Sequence, residues 1–114
     1  MRTSQAVKAL AALAQDTRLA IYRLLVQRGP EGISVGTIAE KLDIPGATLS
    51  FHLKELSHAG MIEPRQDGRF VYYSANYDQM NSLLAYLTEN CCQGTKCVSA
   101  TECVAQPQLK RKRA

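Results

Sequence analysis

Apolar positions along the chain change period in an order that sketches a small domain. Ala6, Val7, Leu10, Leu13 and Ala14 recur at helical spacing, which predicts a first helix over residues 3–14. Leu19, Ile21, Leu24 and Leu25 mark a second helix, with Asp16 or Thr17 placed to cap it and Gly29-Pro30 to stop it. Ser34 then precedes Val35, Ile38, Ala39 and Leu42 at i, i+3, i+4 and i+7, a short one-sided helix. Asp43-Ile44-Pro45-Gly46 is a tight break. Pro45 suits the first turn of the helix that follows, where its missing N–H costs nothing. That helix runs from about Pro45 to His58, with Leu49, Leu53 and Leu56 as its buried stripe and Gly60 as its stop. From Met61 to Ser74 the period becomes that of strands. Asp67-Gly68 is a two-residue hairpin signal, and pairing outward from it sets Ile62 opposite Tyr73 and Pro64 opposite Val71, all four on one face. Asn76 can cap a last helix from Tyr77, whose stripe of Tyr77, Met80, Leu84 and Leu87 extends to Cys91.

The order is helix, helix, short helix, tight turn, helix, hairpin, helix. A short and a longer helix joined by a tight turn, followed by a hairpin, predict a fold that is mainly α with a β-hairpin wing, a winged helix-turn-helix. The 114 residues fit one such domain over residues 1–92, dedicated to DNA binding and dimerisation, with 93–114 as a flexible cysteine-containing and basic tail. No apolar run approaches a membrane span, and no signal-peptide pattern follows the amphipathic N-terminus, so a cytoplasmic location without a membrane partner is expected.

The helix from Pro45 is the one to enter the major groove of double-stranded DNA. At 100° per residue Leu49, Leu53 and Leu56 point inward, while Ala47, Thr48, Phe51, Lys54 and Glu55 point away and Ser50 lies on the flank. Hydroxyls and Lys54 can reach base edges or phosphates, and an exposed Phe51 can touch a thymine methyl. His52, at the edge of the buried stripe, is grouped with this face, and there a partly buried, hydrogen-bonded structural histidine is favoured over a metal ligand. On the wing, Arg65, Gln66 and Arg69 flank the turn and can reach a minor groove or phosphates.

Charge changes the picture less than its sum suggests. The 14 Lys/Arg against 10 Asp/Glu leave a net +4, but that whole excess is Lys110, Arg111, Lys112 and Arg113. The folded body is neutral, and the tail reads as a solvated end or a salt-sensitive attraction to phosphate. An enzyme is not indicated. His52 and His58 have no nucleophile in triad spacing, no phosphate-binding glycine loop is present, and the cysteines lack a partner histidine.

Ala47 to Leu56, then Ala59-Gly60-Met61-Ile62, then Asp67-Gly68-Arg69-Phe70-Val71-Tyr72-Tyr73, together with Ala14-Gln15-Asp16-Thr17-Arg18-Leu19 upstream, resemble the ArsR/SmtB family of metal-responsive winged-helix repressors. The resemblance covers roughly residues 5–90 and departs at Phe51, where similar proteins often carry a polar or basic residue. It implies a homodimer built from the first and last helices, with Val7, Leu10, Met80, Leu84 and Leu87 in the interface, on a two-fold operator. The family's third-helix arsenic site needs a Cys-x-Cys pair, and residues 34–42 contain no cysteine. Its last-helix zinc site needs Asp and His ligands; Asp78 is present, but both histidines lie far upstream.

What remains is Cys91, Cys92, Cys97 and Cys103, all within thirteen residues. In a reducing compartment such a cluster reads as metal-binding or redox-active. Soft thiolates select thiophilic ions, and arsenite takes three sulfurs in a pyramid. Cys91, Cys92 and Cys97 can supply three across Gly94, with Cys103 a spare or fourth ligand. Arsenite, As(III), is therefore the expected inducer, with Sb(III) close behind it. A divalent soft metal (zinc, cadmium or lead), a methylated arsenical held by two thiols, or a disulfide switch are the alternatives.

Overall fold

The computed structural model describes residues 1–94. Five helices, α1 (Thr3–Leu13), α2 (Asp16–Arg28), α3 (Val35–Leu42), α4 (Gly46–His58) and α5 (Tyr77–Leu87), surround strands β1 (Ile33–Ser34), β2 (Ile62–Asp67) and β3 (Phe70–Ala75). This is the expected winged helix-turn-helix. Cys97, Cys103 and the basic Lys110 to Arg113 lie outside the described residues.

Local chemistry sets most helix ends. The Ser34 hydroxyl accepts from the Thr37 N–H at 3.3 Å and starts α3; the Asn76 side chain accepts from the Gln79 N–H at 3.1 Å and starts α5. At α2 the expectation is corrected. The N-cap is Gln15, whose side-chain oxygen accepts from the Arg18 N–H at 2.9 Å. The helix already begins at Asp16, so that carboxylate sits in the first turn, where it faces the positive end of the helix dipole. Pro45 likewise stands one residue outside α4, as its N-cap.

The sheet differs from the expected hairpin in two ways. Its order is β1-β3-β2, and β1 pairs Ile33 with Tyr73 and Ser34 with Tyr72. Two residues are too few to show a period of two, so this strand left no mark in the hydrophobic pattern. The hairpin pairs Ile62 with Ala75, Pro64 with Tyr73 and Asp67 with Phe70, two residues away from the expected register. The turn residues are therefore Gly68 and Arg69. Only Gly68 takes a positive φ, +64°, as a glycine in the first central position of a type II′ turn does without a Cβ penalty. An even slip preserves side-chain facing, so Ile62, Pro64, Val71 and Tyr73 still share one face.

Ile21, Leu25, Ile38, Leu49, Leu56 and Met61 form the enclosed centre of the core. α1 covers it with small residues, Ala6, Ala9 and Ala12, and leaves Val7 and Leu10 outside. α5 contributes Leu83 and is tied to α2 by the Tyr77 hydroxyl, which donates to the Val26 carbonyl at 2.9 Å. The α5 stripe does not run on to Cys91. The Thr88 hydroxyl donates to the Leu84 carbonyl at 2.8 Å, Asn90 turns left-handed, and Cys91–Gly94 forms a separate 3-10 turn.

Tyr22 is buried, and its hydroxyl has no hydrogen-bond partner among the described residues. Burial, and then the neighbouring Tyr77, push its pKa from 10.0 up to about 12. A raised folded-state pKa contributes stability that is intact below about pH 10 and lost as pH rises toward 12. Urea midpoints are expected to fall over that interval, and Tyr22→Phe to flatten the fall at little or no cost near neutral pH, because it deletes a buried unsatisfied group. An equal alkaline fall in the Phe variant would count against this account.

Candidate nucleic-acid interface

α3, the left-handed Asp43 (φ 54°) and α4 make the helix-turn-helix. Ile38 on α3 and Leu49, Leu53 and Leu56 on α4 are buried together, which fixes the α4 face that turns outward. That face carries Ala47, Thr48, Ser50, Phe51, Lys54 and Glu55, all exposed, with Phe51 at 55%. His52 departs from the expected DNA-facing set. It is 8% exposed and lies on the inner side of α4, with Nδ1 3.3 Å from Nη1 of Arg18. Packing against α2 draws the ring inward.

The wing also sorts its residues. Arg65, expected with Gln66 and Arg69 at DNA, is half-exposed, and its guanidinium also contacts the protein. Nη2 donates to the Glu31 carbonyl at 2.8 Å, Nη1 lies 3.6 Å from the Asp67 carboxylate, and the group sits 4.9 Å from the centre of the Tyr72 ring. Arg65 holds the wing to the loop before β1. Arg69, in the turn itself, is exposed and extends the positive charge outward.

Between α4 and the wing runs a cleft of about 370 Å³ bordered by Ser50, Lys54, Ser57, His58, Val71 and Tyr73. Ser57 and His58 were missed in the sequence. They belong to the last turn of α4, three and four residues on from Lys54 and so on its side of the helix, and the packing of the hairpin supplies the other wall of the cleft. The cleft gathers two serine hydroxyls, an ammonium and an imidazole along the α4 side.

On the far side, Val7 (58%), Leu10 (42%) and Leu87 (54%) are exposed. Met80 and Leu84 are half-buried, and with Leu13, Leu19 and Leu83 they border an apolar groove of about 450 Å³ between α2 and α5. Beyond α5, Cys91 and Cys92 are exposed in the 3-10 turn, and Cys92 has φ 56°. Among the described residues no group of three or more His, Cys, Asp or Glu is gathered to hold a metal.

A family described as a helix-turn-helix domain matches residues 13–65, which span α2 to the first half of the wing. The uncharacterised HTH-type transcriptional regulator YceK of Bacillus subtilis is 40% identical over 73 residues, 64% of this chain and 72% of that protein. The arsenical resistance operon repressor of the same organism is 37% identical over 81 residues, 71% of this chain and 73% of the repressor. The chain belongs to the ArsR family of winged-helix transcriptional regulators. Other relatives of this ArsR-family protein differ in what their names record. The cadmium resistance transcriptional regulatory protein CadC homolog of Staphylococcus aureus is 32% identical over 77 residues, 68% of this chain and 62% of the homolog. Among solved structures, the homodimeric winged helix-turn-helix DNA-binding domain Mb0332 of Mycobacterium bovis, a possible ArsR-family regulator, superposes with a TM-score of 0.62 at 26% identity. The match covers 83% of this chain and 88% of that one. The ArsR-family fold is thus used here for DNA binding rather than catalysis, and among the described residues no helix is long and apolar enough to cross a membrane.

Proposed function

We propose that this regulator represses as a homodimer on a two-fold operator and is released when trivalent arsenic, or antimony, is captured by its C-terminal thiols. The observation that carries the inducer reading is the adjacent, exposed pair Cys91 and Cys92 in the first turn beyond α5, on a chain whose α3 has no cysteine. The arsenical resistance repressor among its relatives supports the same reading. The exposed Val7, Leu10 and Leu87, beside the apolar groove bordered by Met80 and Leu84, support a second copy of the chain as the occupant of the α1–α5 face.

In that dimer the two α4 helices enter successive major grooves about 34 Å apart. Ala47, Thr48, Ser50 and Phe51 meet base edges, Lys54 meets phosphate, and Gln66 and Arg69 follow the wing along the backbone. Arsenous acid exchanges its three hydroxyls for three thiolate sulfurs. Each new As–S bond releases one water made from an arsenic hydroxyl and a thiol proton, and no electron is transferred. Cys91 and Cys92 supply two sulfurs, Cys97 the third, with Cys103 in reserve. Gathering these thiols at the end of α5 shifts the dimer helices and disfavours operator spacing, with a coupling of about 1–3 kcal/mol.

Titrating As(III) into a complex of the wild-type protein with a fluorescent operator duplex tests this. Release is expected, and a complex that survives saturating As(III) overturns the inducer reading. The thiol set and the CadC homolog among the relatives favour a second reading, a soft divalent ion. Release by Cd(II) but not As(III) would select it.

The two wing arginines are expected to separate in a salt series. Arg69→Ala should reduce the slope of log affinity against log salt by about one, as loss of a phosphate contact does. Arg65→Ala should weaken binding with the slope unchanged, because its guanidinium is engaged by Glu31, Asp67 and Tyr72. A smaller slope for Arg65→Ala would return that residue to the DNA face.

A further inference from the structure

Arg18 joins three helices through one side chain. Its Nε donates to the Ala12 carbonyl in the last turn of α1 at 2.6 Å, and its Nη1 lies 3.3 Å from Nδ1 of His52 on α4. Arg18 itself stands in the first turn of α2, where its backbone N–H is taken up by the Gln15 cap. A guanidinium carries donors only, so Nδ1 of His52 is the acceptor and the ring proton resides on Nε2. The imidazole meets the Phe51 ring edge-on, with centroids 5.5 Å apart and planes at 62°. A continuous series of contacts therefore runs from α1, which presents Val7 and Leu10, through Arg18 and His52 to Phe51 on the outer face of α4.

We infer that Arg18 is a positioning residue of the recognition helix: by binding Ala12 and His52 together it sets the rotation of α4 relative to the helix that carries the dimer face. The inference rests on the operator-binding reading and deepens it, since it names what orients the reading head. Two features argue for this over a direct contact with DNA. The side chain is partly buried, and two of its N–H groups are already engaged within the protein. A guanidinium is also suited to the task, because its planar fork presents separate donors to two acceptors, whereas an ammonium acts as a point charge. The Ala12 carbonyl, in the last turn of α1, gains in Arg18 a cationic partner at the negative end of the helix.

The test compares affinities for the duplex that the wild-type protein selects from a random-sequence library, measured by fluorescence anisotropy in a salt series. Dimerisation is followed by sedimentation. Arg18→Met keeps the apolar stem and is expected to lose roughly tenfold in affinity, within the range of coupled sites. Arg18→Lys should lose a similar factor. In both, the salt slope and the dimer should remain as in wild type. His52→Leu should lose the same factor, and His52→Asn should recover most of it, because its Oδ1 can take the acceptor position of Nδ1. The Leu and Asn pair keeps the test decisive even where an Arg18 variant folds poorly. Wild-type affinity in Arg18→Met overturns the inference. So does a salt slope lowered by about one, which would mark a phosphate contact, and so does an Asn variant no better than Leu. A wild-type protein that selects no duplex overturns the operator reading itself, and this inference falls with it.

Discussion

Gly32→Ala is expected to lower the unfolding free energy by about 3 kcal/mol, a large share of the stability of a domain this size. Gly32 has φ +80°, which an L side chain rarely adopts, and a Cβ there would stand 2.7 Å from the Tyr73 carbonyl oxygen and 3.1 Å from its carbon. Tyr73 is the residue with which Ile33 pairs, so its carbonyl cannot retreat without opening the ladder between β1 and β3. Backbone strain and overpacking therefore add at one position. Gly68→Ala supplies the contrast. Its φ of +64° carries a strain cost of about 1 kcal/mol, but a Cβ there meets nothing within 4 Å. Urea denaturation of the two variants beside wild type measures the difference. A loss at Gly32 no greater than that at Gly68 would mean the sheet yields where the geometry says it is held.

The second large effect concerns the inducer. Cys91→Ser and Cys92→Ser are each expected to abolish release by As(III), reducing the five- to 150-fold affinity change of typical coupling to about onefold. Serine offers a hard oxygen of nearly the same shape, so the arsenic–sulfur bond is lost while local packing is kept. Both cysteines are exposed and lie outside the hydrophobic core, so operator affinity without arsenic should remain near wild type. Cys97→Ser should behave likewise, and Cys103→Ser should matter less. If Cys91→Ser and Cys92→Ser both release at wild-type As(III) concentrations, the thiols are not the sensor. If both lose DNA binding without inducer, the turn after α5 serves the fold instead.

Arg18 and Arg65 show where reading the chain in order reaches its limit. As sequence, Arg18 is a basic residue on the second helix, and Arg65 flanks the hairpin turn, where it reads as a DNA contact. The structure engages both within the protein, through carbonyls of residues 12 and 31. Those partners lie six and 34 residues away, and no local spacing rule encodes such pairs. His52 turns inward for the same reason, while Ser57 and His58 line a cleft with Lys54 because the hairpin packs against that side of α4.

Helix number and order, the helix-turn-helix, the outward set of α4 from Ala47 to Lys54 and the concentration of thiols after α5 were determined by sequence alone. Their causes are local: the 3.6-residue period, side-chain caps at Ser34 and Asn76, and glycine at Gly60 and Gly68. Only the tertiary structure decided the third strand, the hairpin register and the internal partners of Arg18 and Arg65. Each of these depends on which distant carbonyl or strand lies within hydrogen-bond reach once the core around Ile21, Leu25 and Leu56 has closed.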